Sequence, residues 1–175
     1  RTNNMKYEAV VYEQNSEVQP SYLSGRCDVY TTDASGLAAT RSTFPDPTAH
    51  KILPEIVSKE PLGPAVRQGD DQWADIIRWI YNATVTAEEK GITSSNVDSM
   101  KTANDPEIKR LLGEEGSQGK ELGLSKDWAY QVIKQVGNYG EIFERNIGIN
   151  TPIGLARGLN DLWTRGGLQY SPPFR

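Results

Sequence analysis

The chain has 175 residues, 37% hydrophobic and 24% charged, with 19 Lys and Arg against 23 Asp and Glu for a formal net charge of -4. That size suits one domain or a domain with an appendage. A mildly acidic chain without a Lys/Arg cluster is a poor candidate for nucleic-acid binding, which leans on phosphate neutralisation. No apolar run approaches the about 20 residues needed to span a bilayer.

Single residues narrow the chemistry further. Cys27 is the one cysteine, so no disulfide can form within the chain, and His50 is the one histidine. Closed zinc sites need more soft ligands than these two, so no metal or other cofactor is expected. The chain opens on Arg1 rather than Met, which raises the expectation that sequence precedes it.

In chain order, Arg1 to Asn4 is polar and expected to fray. Lys6 to Tyr12 is rich in β-formers and is expected to be a first strand. Ser16 precedes Glu17 as an N-cap signal, and Val18, Tyr22 and Leu23 give a short helix its apolar face. Pro20 is placed in the first turn, where no helical N–H is lost, and Gly25 ends the helix. Gly25 to Thr31 is a second strand, and a second helix covers roughly Ala34 to Ser42. Strand, helix, strand, helix is the repeat of a parallel α/β sheet. Phe44-Pro45-Asp46-Pro47 breaks the helix, since residues before proline leave the α region. His50 to Leu53 is a third strand.

Asp70 and Asp71 then open a long helix, as the helix dipole favours. Trp73, Ile76, Ile77 and Ile80, with Ala83 and Ala87, form its core-packing stripe, and it should run to about Lys90. Beyond Gly91 strand signals vanish. Ser94 or Ser95 should cap a helix near Val97 to Lys101. Asp105-Pro106 starts another, with proline at the first helical position. Glu114 to Lys120 reads as a loop. Ser125 opens a helix burying Trp128, Ala129, Val132, Ile133 and Val136. Tyr139 to Ile147 is the next, and Leu155 to Trp163 the last.

Few residues offer chemistry. The glycines at 113, 116 and 119 lack the strand and the Lys-Ser/Thr of a phosphate-binding loop. Ser35 lacks the glycine two positions earlier that a nucleophile elbow requires. Glu88, Glu89, Glu141 and Glu144 read as solvated helix faces. Asn82-Ala83-Thr84 matches a glycosylation acceptor but falls inside a helix. Asp33 is the best-placed charge: in open α/β sheets, ligands bind outside the carboxyl ends of the strands. A carboxylate there either caps the following helix or pairs with a ligand cation. Thr32 adjoins it, and Asn15 holds the equivalent end of the first strand. A small zwitterion would suit the three.

The stretches Gly25-Arg26-Cys27-Asp28-Val29-Tyr30-Thr31-Thr32-Asp33, ILPEIVSKEPLGPAVR at 52–67 and VGNYGEIFERN at 136–146 resemble the periplasmic general L-amino-acid-binding proteins of ABC importers. These are receptors for glutamate, glutamine, aspartate and asparagine, among others. The resemblance covers nearly the whole chain. It implies an α/β, type II periplasmic binding protein fold, here incomplete. Residues 1–57 would finish the second lobe up to a hinge, and 58–175 would return into the first lobe and add a helical C-terminal extension. The return crossing would span Ile56 to Pro61.

It further implies that Asp33 holds the ligand's α-ammonium group and that Thr32 reaches its side chain, with Asn15 the weaker third contact. The ligand's α-carboxylate would be met by an upstream half of the protein, which could also hold a cysteine partner for Cys27. The other expected partners are the membrane permease subunits of the importer, and the expected location is the periplasm. The rival reading is an enzyme on the same fold, a cyclohexadienyl-dehydratase-like protein. It would need a second carboxylate or base, and Glu13 and Glu17 are only distant candidates. A sensory module on this fold is the third reading.

Overall fold

The runs Lys6–Tyr12, Gly25–Thr31 and His50–Leu53 carry strand-forming residues. In the computed structural model, which describes residues 5–59 and 61–175, they run irregularly and join no ladder. A strand exists only against a partner edge that takes its N–H and C=O groups, and none of the three supplies one to another. Val11 and Val29, β-formers within two of these runs, stand 87% and 73% exposed. The expected strands are therefore not formed among the described residues, whose regular structure is helical. The reading of Arg1–Asn4, and the Glu60 position of the crossing, lie outside the described residues.

The backbone divides into two compact units between Pro54 and Glu55. In the first, helix α1 (Asn15–Leu23) starts from Gln14, with no side-chain cap, and not from Ser16 as expected. The Glu17 amide already bonds the Gln14 carbonyl at 3.1 Å, which sets the start two residues earlier. Pro20 consequently falls in the second turn, where its missing N–H leaves one helical bond unmade. Gly25, at φ +76°, closes the helix: its amide bonds the Tyr22 carbonyl and the Arg26 amide bonds that of Ser21. This paired closure needs a left-handed residue, which glycine adopts without steric cost.

Helix α2 (Ala34–Ser42) spans the expected residues, capped by Asp33. A cluster of rings links the elements of this unit. Tyr22 of α1 packs against Tyr30, Phe44 and His50, and its hydroxyl lies 2.9 Å from His50 Nδ1. Ala38 and Phe44 are the unit's buried apolar side chains among the described residues.

The second unit is built on α3 (Asp71–Glu89), whose N-cap Asp70 accepts from the Trp73 amide. Ala83 and Ala87 are fully buried, and such small residues let neighbouring elements approach closely. Trp73 departs from the expected stripe and is 49% exposed. Around α3 are α4 (Val97–Met100), α5 (Pro106–Leu111), α6 (Gln118–Glu121), α7 (Trp128–Val136) and α8 (Tyr139–Asn146). Ile92, Val97, Leu111, Leu112, Trp128, Ile133 and Phe174 fill the core between them. Asn82 is buried within α3, so the glycosylation pattern there is sterically closed.

Several further local expectations fail in this unit. Helix α7 starts after Asp127, not at Ser125, and Val136 at its end is 42% exposed rather than buried. The start of α4 is Asn96, not a serine, because Ser94 is held elsewhere: its amide and hydroxyl both bond the Glu141 carboxylate. Glu141 also completes a capping box with Asn138 at the head of α8, so it is no solvated charge. The loop at 114–120 contains the start of α6. Leu155 to Trp163 is not a helix. Gly158, at φ +49°, turns the chain there, leaving short 3-10 turns at Gly158–Asn160 and Trp163–Arg165.

That segment is pinned by charge to α3. Glu88, 9% exposed at its side chain, pairs with Arg157 and Arg165, and both arginines reach Asp161. The Arg157 guanidinium also lies over the rings of Tyr139 and Phe143. Glu89 accepts from the Trp163 indole at 2.8 Å. Neither Glu88 nor Glu89 is therefore the solvated residue its sequence context suggests. An i, i+3 or i+4 count on α3 cannot find arginines about seventy positions away.

Candidate functional site

Asp33 sits in extended backbone (φ -60°, ψ 148°) immediately before α2, so its carboxylate folds back onto the first turn. Oδ2 accepts the Gly36 amide at 2.8 Å and the Ser35 hydroxyl at 2.9 Å, and Oδ1 accepts the Thr32 hydroxyl at 3.2 Å. Gly36 suits this place because a Cβ there would come within 2.9 Å of the carboxylate. The backbone donor from Gly36, followed by the Ser35 hydroxyl, holds the Asp33 carboxyl below the usual range, against a small opposing effect of burial. It is thus a fixed anion at neutral pH.

The cap does not exhaust the group. An ionised carboxylate offers about four acceptor positions, and the contacts to Gly36, Ser35 and Thr32 use three. Helix cap and cation partner, alternatives in the sequence, are compatible in the structure: Oδ2 serves the helix while Oδ1 retains acceptor capacity. Asp33 is half-buried and Thr32 is exposed, so water or a ligand can reach them.

Asn15 opens α1, the other helix of this unit. Its Oδ1 accepts the Tyr30 hydroxyl at 3.0 Å. Tyr30 lies three residues before Asp33, and three residues of chain span at most about 11 Å. The phenol thereby ties Asn15 to the segment that carries Thr32 and Asp33. Sequence reasoning missed both Tyr30 and Ser35. In the sequence Tyr30 is one residue of an expected strand, and Ser35 is only a failed nucleophile. Serine two positions after an N-cap aspartate is a local signal for Ser35. No comparable local signal marks the contact of Tyr30 with Asn15, fifteen residues away.

No cluster of three or more His, Cys, Asp or Glu suited to a metal occurs among the described residues. Cys27 is half-buried with a free thiol. No helix is long and apolar enough to cross a membrane among the described residues.

No protein-family model matches the chain. Individual proteins match it along its whole length. It is 60% identical to the general L-amino acid-binding periplasmic protein AapJ of Rhizobium johnstonii and 55% identical to the glutamate/glutamine/aspartate/asparagine-binding protein BztA of Rhodobacter capsulatus. It is 51% identical to the putative amino-acid ABC transporter-binding protein YhdW of Escherichia coli K12. Each match covers 100% of this chain and 52% of the relative. A solved periplasmic binding protein of an ABC transporter from Brucella ovis, with glutathione bound, superimposes with a TM-score of 0.92 at 56% identity. That match covers 99% of this chain and 55% of the other. The chain thus carries part of a periplasmic binding protein fold, and it spans about half the length of the amino-acid-binding periplasmic proteins to which it is similar.

Proposed function

We propose that the protein carrying this chain is a substrate-binding receptor of an ABC importer. It takes L-amino acids of the glutamate, glutamine, aspartate and asparagine type in the periplasm and presents them to the importer's membrane permease subunits. The observation that carries the reading is identity of 51–60% along the whole chain to proteins named for amino-acid binding. In this reading Asp33 pairs with the ligand's α-ammonium group, Thr32 reaches its side chain and Asn15 adds a polar contact. Residues outside this chain meet the α-carboxylate. Glutathione, the ligand of the Brucella ovis protein, ends in a γ-glutamyl group with a free α-ammonium and α-carboxylate, so γ-glutamyl peptides join the candidate ligands.

The state of Asp33 favours binding over catalysis. A carboxyl held below its usual range by Gly36 and Ser35 is a good ion-pair partner and a weak general base, because base strength falls with pKa. Calorimetric titration of the full-length protein with a panel of L-amino acids tests the reading, alongside Asp33→Asn. Asparagine keeps the cap and removes the charge. Heat with glutamate or glutamine that vanishes in the variant supports the receptor and the ammonium contact. Undiminished binding in the variant reduces Asp33 to a cap. Silence across the panel removes the amino-acid reading.

A further inference from the structure

We infer that Asn15, oriented by Tyr30, is the donor that selects ligands with an acceptor oxygen on the side chain. The inference rests on the receptor reading above and concerns specificity within the same site. It follows from where each hydrogen is committed. Asp33 is an ionised carboxylate and can only accept. The Thr32 hydroxyl gives its single proton to Asp33 Oδ1, so toward a ligand it offers lone pairs. Asn15 has its carbonyl oxygen engaged by the Tyr30 hydroxyl, which leaves its amide N–H groups as the end available to a ligand. Of the three candidate residues, Asn15 alone is set to donate.

Tyr30 is what fixes that polarity. An asparagine amide can turn over, exchanging donor for acceptor. A phenol donates well and accepts poorly, so it holds the carbonyl end of Asn15 toward itself. The ligand then meets an anionic acceptor at Asp33, suited to an ammonium group, and, of the two residues beside its side chain, Thr32 offers lone pairs while Asn15 offers the donor suited to an oxygen. Glutamate, glutamine, aspartate, asparagine and a γ-glutamyl amide all carry an sp² oxygen on the side chain. This atom is shared by the four amino acids in the name of the Rhodobacter capsulatus relative, which differ in charge and size. Tyr30 acts as a positioning residue and Asn15 as the contact.

The test uses the full-length protein and titrations with glutamate, glutamine and norvaline, which lacks the oxygen. Asn15→Asp keeps the acceptor for Tyr30 and removes the donor. It also places acid at a helix N-terminus, where acid is favoured, so folding is not at risk. The expected result is glutamate binding weakened roughly a hundredfold by like charge, with glutamine affected far less. Tyr30→Phe is expected to weaken glutamine by about two- to tenfold and to narrow its advantage over norvaline, with the ligand-free melting temperature little changed. A glutamate-to-glutamine ratio in Asn15→Asp equal to wild type overturns the inference. So does norvaline binding to the wild type as tightly as glutamine. If Asp33→Asn abolishes binding while Asn15→Asp leaves the ratio unmoved, the receptor reading stands and this inference alone falls. If the wild type binds nothing in the panel, both fall.

Discussion

The two units solve the problem of order in different ways. The second buries a set of large apolar side chains around α3, down to Phe174, and hooks its irregular segment onto Glu88. The first buries Ala38 and Phe44 and otherwise relies on helix caps and a small ring cluster. Burial of apolar surface is the dominant favourable term in folding, so the second unit carries more of its own stability. The candidate ligand residues all lie in the first. Binding elements are drawn from the less stable parts of proteins because they have to respond to a ligand.

Phe174→Ala tests the contrast with the largest expected effect. Its ring is 1% exposed and packs edge-on against Trp79 at 5.2 Å. Loss of about 3–5 kcal/mol is expected, read in chemical denaturation, with hydrogen exchange in α3 and α7 accelerated and that in α1 and α2 unchanged. Glu88→Gln comes next. It leaves Arg157, 13% exposed at its side chain, with Asp161 as its remaining carboxylate. About 3 kcal/mol of destabilisation is expected, near the lower end for a broken buried pair because Asp161 compensates. A drop under about 0.5 kcal/mol in denaturation would mean that the 157–165 segment does not need its anchor.

Two smaller effects belong to the first unit. Asp33→Ala removes a cap and should cost about 1 kcal/mol, whereas Asp33→Asn should cost little. The carboxyl is depressed in the folded chain, so its contribution is full above the unfolded pKa of about 3.9 and is lost as pH falls through the lower folded value. The stability gap between wild type and Asp33→Asn should therefore shrink or invert below about pH 4 in acid titrations followed by circular dichroism. Smallest of all, Tyr22→Phe deletes the hydroxyl at His50 and keeps the ring. About 0.5 kcal/mol is expected, the lower end for a hydrogen bond because the pair is only part-buried, confined to α1 and the His50 region by hydrogen exchange. A response in α3 instead would break the separation between the units.

The helices were legible wherever their ends carry local chemistry. Asp33 before α2, Asp70 before α3 and Asp105 before Pro106 each announce a helix through a side chain within three residues of the amide it caps. Ser16 and Ser94 misled because capping serines are common but not obligatory, and the competing partner of Ser94 is Glu141, far along the chain. The strands were read from residue type, but a strand is a property of two segments, and among the described residues Val29 has no neighbouring strand to pleat against. Asp33 and Thr32 were visible by position. Their pairing with Ser35 was local and could have been read, whereas the Tyr30 contact to Asn15 required the fold.

The closing segment around Phe174 has a consequence for the order of assembly. Thr86 bonds Ser171 across 85 residues, and the Arg110 guanidinium holds the Phe174 carbonyl at 2.7 Å. On a ribosome the chain emerges from its N-terminal end, so α3 appears long before the segment that seals it. Through that interval Trp79 lacks the Phe174 ring that packs on it, and the second unit reaches its finished core only after translation has passed Phe174. A nascent chain stalled short of that point would display an open apolar seam, which is the kind of surface chaperones bind.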